Sequence, residues 1–100
     1  MIIRYLPDAL RDFDEALAYY FERSPDAAQR FAEAVRAEER TIHDFPELAY
    51  SPGAGLRTLR LTRFPYSLVY LLGKHEIVII AVAHQKRRPV YWKKRLRNVK

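Results

Sequence analysis

The stretch Ile77-Val78-Ile79-Ile80-Ala81-Val82-Ala83 decides the fold. Every one of its side chains is apolar, and a run that is apolar on both faces belongs to a central strand covered on both sides. Just upstream, Tyr66–Leu72 reads as a second strand, joined to the first by a turn at Gly73-Lys74-His75. Arg63-Phe64-Pro65 is a bend or bulge, because proline removes a ladder donor. Before it, Leu56–Thr62 alternates: Arg57, Leu59 and Leu61 take one side, while Leu56, Thr58, Arg60 and Thr62 take the other. Glu47–Gly55, with Pro52, Gly53 and Gly55, is expected to be a loop.

Further upstream the period changes from two to three and four. From Asp8 to about Arg23 the apolar residues Leu10, Phe13, Leu17, Tyr20 and Phe21 form one helical stripe, opposite Arg11, Asp12, Asp14, Glu15 and Glu22. Pro7 suits the first helical position and Asp8 the positive end of the helix. Ser24 and Pro25 end this helix and begin another, with Ser24 as the capping hydroxyl. The second stripe is Ala28, Phe31, Val35, Ile42 and Phe45, and Pro46 closes it. So tight a junction predicts an antiparallel helical hairpin. Met1–Tyr5, β-branched at Ile2 and Ile3, reads as a short first strand. The order is β-α-α-β-β-β, an α+β fold with the hairpin packed on one face of a mainly antiparallel sheet. A basic C-terminal tail follows, in which Pro89-Val90-Tyr91-Trp92 opens a short helical turn.

A chain of 100 residues, 49% of them hydrophobic, suits one domain over residues 1–100 with a single core. It shows no repeat or low-complexity tract. Cysteine is absent, which excludes disulfides, thiolate chemistry and cysteine-bearing zinc sites. His43, His75 and His84 are far apart and lack i, i+4 pairing, so neither a metal nor another cofactor is expected. MIIRYLPDALRDF has no charged leader followed by an apolar run, and no stretch reaches the ~20 apolar residues that cross a bilayer. A soluble, cytoplasmic protein without membrane contacts is expected.

Charge is divided unevenly. Residues 1–55 carry 6 Lys/Arg against 11 Asp/Glu, whereas residues 56–100 carry 12 Lys/Arg against the lone acid Glu76. The bland explanation is a solvated basic face. A split this steep favours recognition of an acidic or polyanionic macromolecule.

Element order, length and charge together resemble the RelE/ParE superfamily of type II toxin-antitoxin toxins. The resemblance is carried by RFPYSLVY (Arg63–Tyr70), by IVIIAVAHQKRRPVYW (Ile77–Trp92), and by the helical pattern Ala16, Tyr19, Tyr20, Pro25, Ala27, Ala28 and Phe31. It covers almost the whole chain, although no single motif is unique. It implies a growth-inhibiting toxin held inactive by a cognate antitoxin. RelE-like members cleave mRNA in the ribosome as endoribonucleases, while ParE-like members poison DNA gyrase without being nucleases. The ending His84, Arg87, Arg88, Pro89, Tyr91 and Trp92 looks closer to ParE-like plasmid-stabilisation toxins.

Three functions therefore stay open. A ParE-like gyrase inhibitor agrees with the thin supply of acid and base groups. In a RelE-like nuclease, Arg57, Arg60 and Arg63 would hold phosphates, Arg87 and Arg88 would complete the clamp, His84 would move protons, and Tyr91 would donate or stack. Against it, Thr58, Ser67, Val69 and Leu71 stand on the middle strands, and no lysine lies between Leu56 and Gly73. The third possibility is a non-toxic basic nucleic-acid-binding module. The surface expected to meet target or antitoxin comprises Arg57, Arg60, Arg63, Lys86, Arg87, Arg88, Tyr91, Trp92, Lys93, Lys94 and Arg95. Plainer roles compete with these. His84 can cap a strand end, Trp92 can anchor the tail, and Tyr66 and Tyr70, which share strand parity, can pack beneath the helices.

Overall fold

Strand β5 (Glu76–His84) is an inner strand, and all seven of its residues Ile77–Ala83 are buried. On one side it pairs in parallel with β1 (Ile2–Tyr5), and on the other antiparallel with β4 (Tyr66–Leu72). Strands β3 (Leu56–Arg60) and β2 (Tyr50–Gly53) continue the sheet antiparallel, giving the order β1-β5-β4-β3-β2. The structure, a computed structural model, describes residues 1–53, 55–88 and 90–99, with Val90 described by its backbone alone.

Helices α1 (Pro7–Arg23) and α2 (Pro25–Asp44) form the hairpin. At their junction the Ser24 hydroxyl accepts from the Ala27 N–H at 3.3 Å, the cap that the Ser-Pro pair predicts. Both helices meet one face of the sheet. Phe31 of α2, fully buried, touches Phe13 and Tyr20 of α1, Phe64 of the β3–β4 turn, and Tyr66 of β4, with ring centroids 5.2 to 5.7 Å apart. The parity of β4 thus sends Tyr66 toward the helices, and Tyr70 with it: the Tyr70 hydroxyl donates to the Pro46 carbonyl at 2.6 Å, just past α2.

Three details differ from the sequence reading. First, Tyr50–Gly53 lies within the expected loop yet pairs with β3 as an edge strand. Proline is tolerated there because the outer side of an edge strand has no partner waiting for an N–H. Second, β3 ends at Arg60, two residues early, as Leu61 N–H turns to the Tyr66 carbonyl at 2.9 Å and Arg63 takes a left-handed φ of 72°. Third, only the middle of the apolar stripe of α1, Phe13, Leu17 and Tyr20, packs against the core. Leu10 is 50% and Phe21 61% exposed, whereas Ala9 and Ala16 are buried. Small side chains let the helix backbone approach β5 closely, and the large ones flank that contact. The short α3 (Val90–Lys93) and a 3-10 turn at Lys94–Asn98 complete the described chain. Pro89, which opens that turn in the sequence, and Lys100 lie outside the described residues.

Burial has a consequence at high pH. The phenols of Tyr5, Tyr20, Tyr66, Tyr70 and Tyr91 are all held above their ordinary value of 10.0, in each case mainly because burial disfavours the phenolate, and at Tyr5 also because its hydroxyl donates to Glu39. A pKa raised on folding gives stability that is complete below the unfolded value and lost as pH rises past it. The urea midpoint is therefore expected to fall between about pH 10 and about pH 12. An unchanged midpoint across that window would contradict the burial of these phenols.

Candidate functional site

The end of the sheet where β5 finishes and β3 turns into β4 carries a group of basic side chains. Gln85 ties the two turns together. Its N–H donates to the Pro65 carbonyl at 2.8 Å, its side-chain amide to the Tyr66 carbonyl at 3.3 Å, and its Oε1 accepts from Arg60 at 3.0 Å. Arg63 in one turn and Lys86, Arg87 and Arg88 in the other are exposed at this end. Lys93 and Lys94, also exposed, follow on the C-terminal segment. Among the described residues, the ion pairs involve Arg4, Arg11, His43 and Arg95 and none of these seven cations (Arg60, Arg63, Lys86, Arg87, Arg88, Lys93, Lys94).

Two expected members of the surface point elsewhere. Arg57 and Arg60 sit on opposite faces of β3, because neighbouring strand residues alternate. Arg57 turns to the helix side, where its Nη1 donates to the Glu47 and Ala49 carbonyls at 3.0 and 3.1 Å and its Nε is buried without a partner. It pins the chain that leaves α2. Arg95 turns inward to Asp12, so of the eleven residues that the sequence groups together seven are exposed cations, Arg57 and Arg95 are internal ties, Tyr91 is half-buried and Trp92 is buried.

Two concave surfaces open beside this end. A cleft of about 290 Å³ lies between α1 and the end of β5, lined among others by Glu15, Tyr19, Tyr66, His84, Arg87 and Tyr91. The Arg87 guanidinium lies 3.6 Å from the centre of the Tyr91 ring, a cation-π contact that orients both groups. The His84 ring meets Tyr66 edge-on at 5.1 Å, and its Nδ1 accepts the Lys86 N–H at 3.1 Å. With Nδ1 occupied as acceptor, the neutral ring carries its proton on Nε2 and offers a donor.

On the opposite face of the sheet, two adjoining hollows of about 420 and 540 Å³ share Tyr50, Thr58 and Trp92. Ser67, Val69 and Ala83 help to floor the first, and Arg60, Arg87 and Lys93 rim the pair. Trp92 is buried, so it fixes the C-terminal segment onto this face. Sequence reasoning passed over Asp12, Glu15, Tyr19 and Tyr50. For Asp12 a signal existed: it falls between Ala9 and Ala16 at helical spacing, an acid on the stripe of small buried residues.

Among the described residues, no group of three histidine, aspartate or glutamate side chains is placed to hold a metal ion, and no helix is long and apolar enough to cross a membrane. Residues 3–89 match the family model described as the ParE toxin of the type II toxin-antitoxin system parDE. The chain belongs to the ParE toxin family. That match runs from β1 through the cationic turn after β5 and stops short of α3. A solved structure from the chromosomal ParDE toxin-antitoxin system of P. aeruginosa is similar, with a TM-score of 0.72, 22% identity, and coverage of 84% of this chain and 95% of that one. At that identity the likeness establishes a shared fold. No curated protein matches the sequence.

Proposed function

We propose that this ParE-family chain is the toxin of a two-protein system. An acidic antitoxin neutralises it, and when free it inhibits DNA gyrase in the cytoplasm by binding, without cleaving nucleic acid. The observation that carries the reading is the exposed cationic end formed by Arg60, Arg63, Lys86, Arg87 and Arg88 on a chain of this family, with Lys93 and Lys94 exposed on the C-terminal segment. None of the seven is in an ion pair among the described residues. Such a surface attracts an acidic protein segment or a DNA-bound enzyme through long-range attraction and speeds encounter.

The chemistry around His84 supports binding over bond cleavage. General-base catalysis needs a free imidazole nitrogen, and Nδ1 already accepts the Lys86 N–H. Two of the arginines that a phosphate clamp would use are already engaged by neighbours. Arg60 is held to Gln85, Arg87 is stacked on Tyr91, and Arg63 stands in the turn beyond. Purified protein added to a supercoiling assay is expected to slow gyrase or to accumulate cleaved DNA at near-stoichiometric ratios. Unimpaired supercoiling at molar excess would contradict the gyrase target. New mRNA ends in a translating extract would instead favour ribosome-dependent cleavage.

A further inference from the structure

Strand β1 covers only half of β5. Its last register pair is Tyr5 with Ile79, after which Leu6 N–H bonds the Ile79 carbonyl at 3.0 Å and the chain departs into α1. Beyond that point β5 has no neighbouring strand on this side. An unpaired edge in the middle of a protein is costly, because buried N–H and C=O groups need partners.

A bulge sharpens the problem. Val69 pairs with Ala81 but Tyr70 with Ile79, which leaves Ile80 as the extra residue. As a result the Ile79 and Ile80 carbonyls both accept from the open side, one from Leu6 and one from Arg95. The groups that meet the edge are side chains. Asp12 of α1 accepts the Val82 N–H at 3.1 Å, and Arg95 donates to the Ile80 carbonyl at 3.1 Å. The two residues then close on each other through paired bonds of 2.6 and 3.0 Å, with side chains only 9% and 13% exposed. Asp8 Oδ2 lies a further 3.8 Å from Arg95 Nε.

We propose that the Asp12–Arg95 pair takes the place of a missing strand: it caps the open half of the β5 edge and thereby fixes the C-terminal segment, making Asp12 a positioning residue for the recognition surface. The inference rests on the toxin reading for its functional half only. The geometry explains why one short helix can serve both faces. Adjacent helical residues point about 100° apart, so α3, seated over the edge, sends Tyr91 to the cleft beside α1 and Trp92 to the opposite face. Arg95 also lies 5.2 Å from the Tyr91 ring that Arg87 stacks on. One internal ion pair thus sets the positions of Arg87, Tyr91 and Trp92 together.

The test uses Arg95→Gln, Asp12→Asn and the exchanged double variant Asp12→Arg/Arg95→Asp, each in the full chain. Arg95→Gln is expected to keep a folded core by NMR, while the Val82 amide exchanges about tenfold faster or more. Trypsin is then expected to cut the C-terminal segment at Lys93 and Lys94 well before the core. Asp12→Asn, which retains an acceptor for Val82, is expected to loosen the segment less. The exchanged variant is decisive. It restores opposite charges, but it sets a guanidinium against the Val82 donor and a carboxylate against the Ile80 acceptor. It is therefore expected to behave no better than Arg95→Gln; full recovery would reduce the pair to an ordinary salt bridge and overturn the proposal. Wild-type Val82 exchange and proteolysis in Arg95→Gln would overturn it as well. In cells, Arg95→Gln is expected to lose growth inhibition. Inhibition that survives a loosened segment would overturn the positioning role, whereas a wild type that never inhibits growth would sink the toxin reading and leave the edge cap to the exchange data.

Discussion

Phe31→Ala is expected to lower stability by about 3–5 kcal/mol. Phe31 is fully buried at the point where α1, α2, the β3–β4 turn and β4 converge, and four aromatic rings lie against it. Truncation removes the apolar contacts of a whole ring, and the neighbours cannot close the gap without leaving their own staggered positions. The loss is about a fifth or more of the ~5–15 kcal/mol that holds a typical small fold together. It should lower the melting temperature by at least about 12 °C. Phe31→Leu, which conserves most of the volume, should cost about 1–2 kcal/mol. Calorimetry on the two variants checks both. A loss below about 1 kcal/mol for alanine would mean that the aromatic cluster does not hold the hairpin on the sheet.

The second large effect concerns binding. Arg60, Arg87 and Lys93 rim the hollows of the open sheet face, and none of the three forms an ion pair within the described chain. The triple variant Arg60→Glu/Arg87→Glu/Lys93→Glu changes six units of charge around these two hollows. These residues make no ion pairs, but the variant loses the Arg60–Gln85 hydrogen bond and the Arg87–Tyr91 stack, so stability should fall by about 1–2 kcal/mol, leaving the protein folded. Long-range steering behaves differently. Association with the antitoxin is expected to slow by about 100-fold at low salt. Raising the ionic strength shortens the Debye length to about 3 Å at 1 M and should narrow that gap. Stopped-flow association at two salt concentrations checks the effect, and an equal rate for wild type and variant would exclude these cations from the encounter surface.

Much of this arrangement is legible in the sequence because the signals are strong and local. The seven apolar residues from Ile77 to Ala83 announce an inner strand, Ser24-Pro25 marks the helix junction, and the concentration of basic residues after Leu56 marks the cationic half. What escaped depends on long-range partners. Tyr50–Gly53 joins the sheet only because Thr58 and Leu56 lie beside it, and its own proline and glycine conceal it. Leu10 and Phe21 fit a helical period, but the position of the helix on the sheet is set by the small residues Ala9 and Ala16. Arg57 and Arg95 look like their cationic neighbours in the sequence. Only the fold shows that one ends on backbone carbonyls and the other on Asp12, 83 residues away.

Growth of cells that express the wild-type chain or the Arg60→Glu/Arg87→Glu/Lys93→Glu variant, without antitoxin and at matched protein levels, is the most direct test of a cationic recognition surface in a ParE-family toxin. The wild type should arrest growth and the charge-reversed protein, still folded at the growth temperature, should not. Equal arrest by both proteins would contradict the assignment of the toxin's recognition surface to these cations.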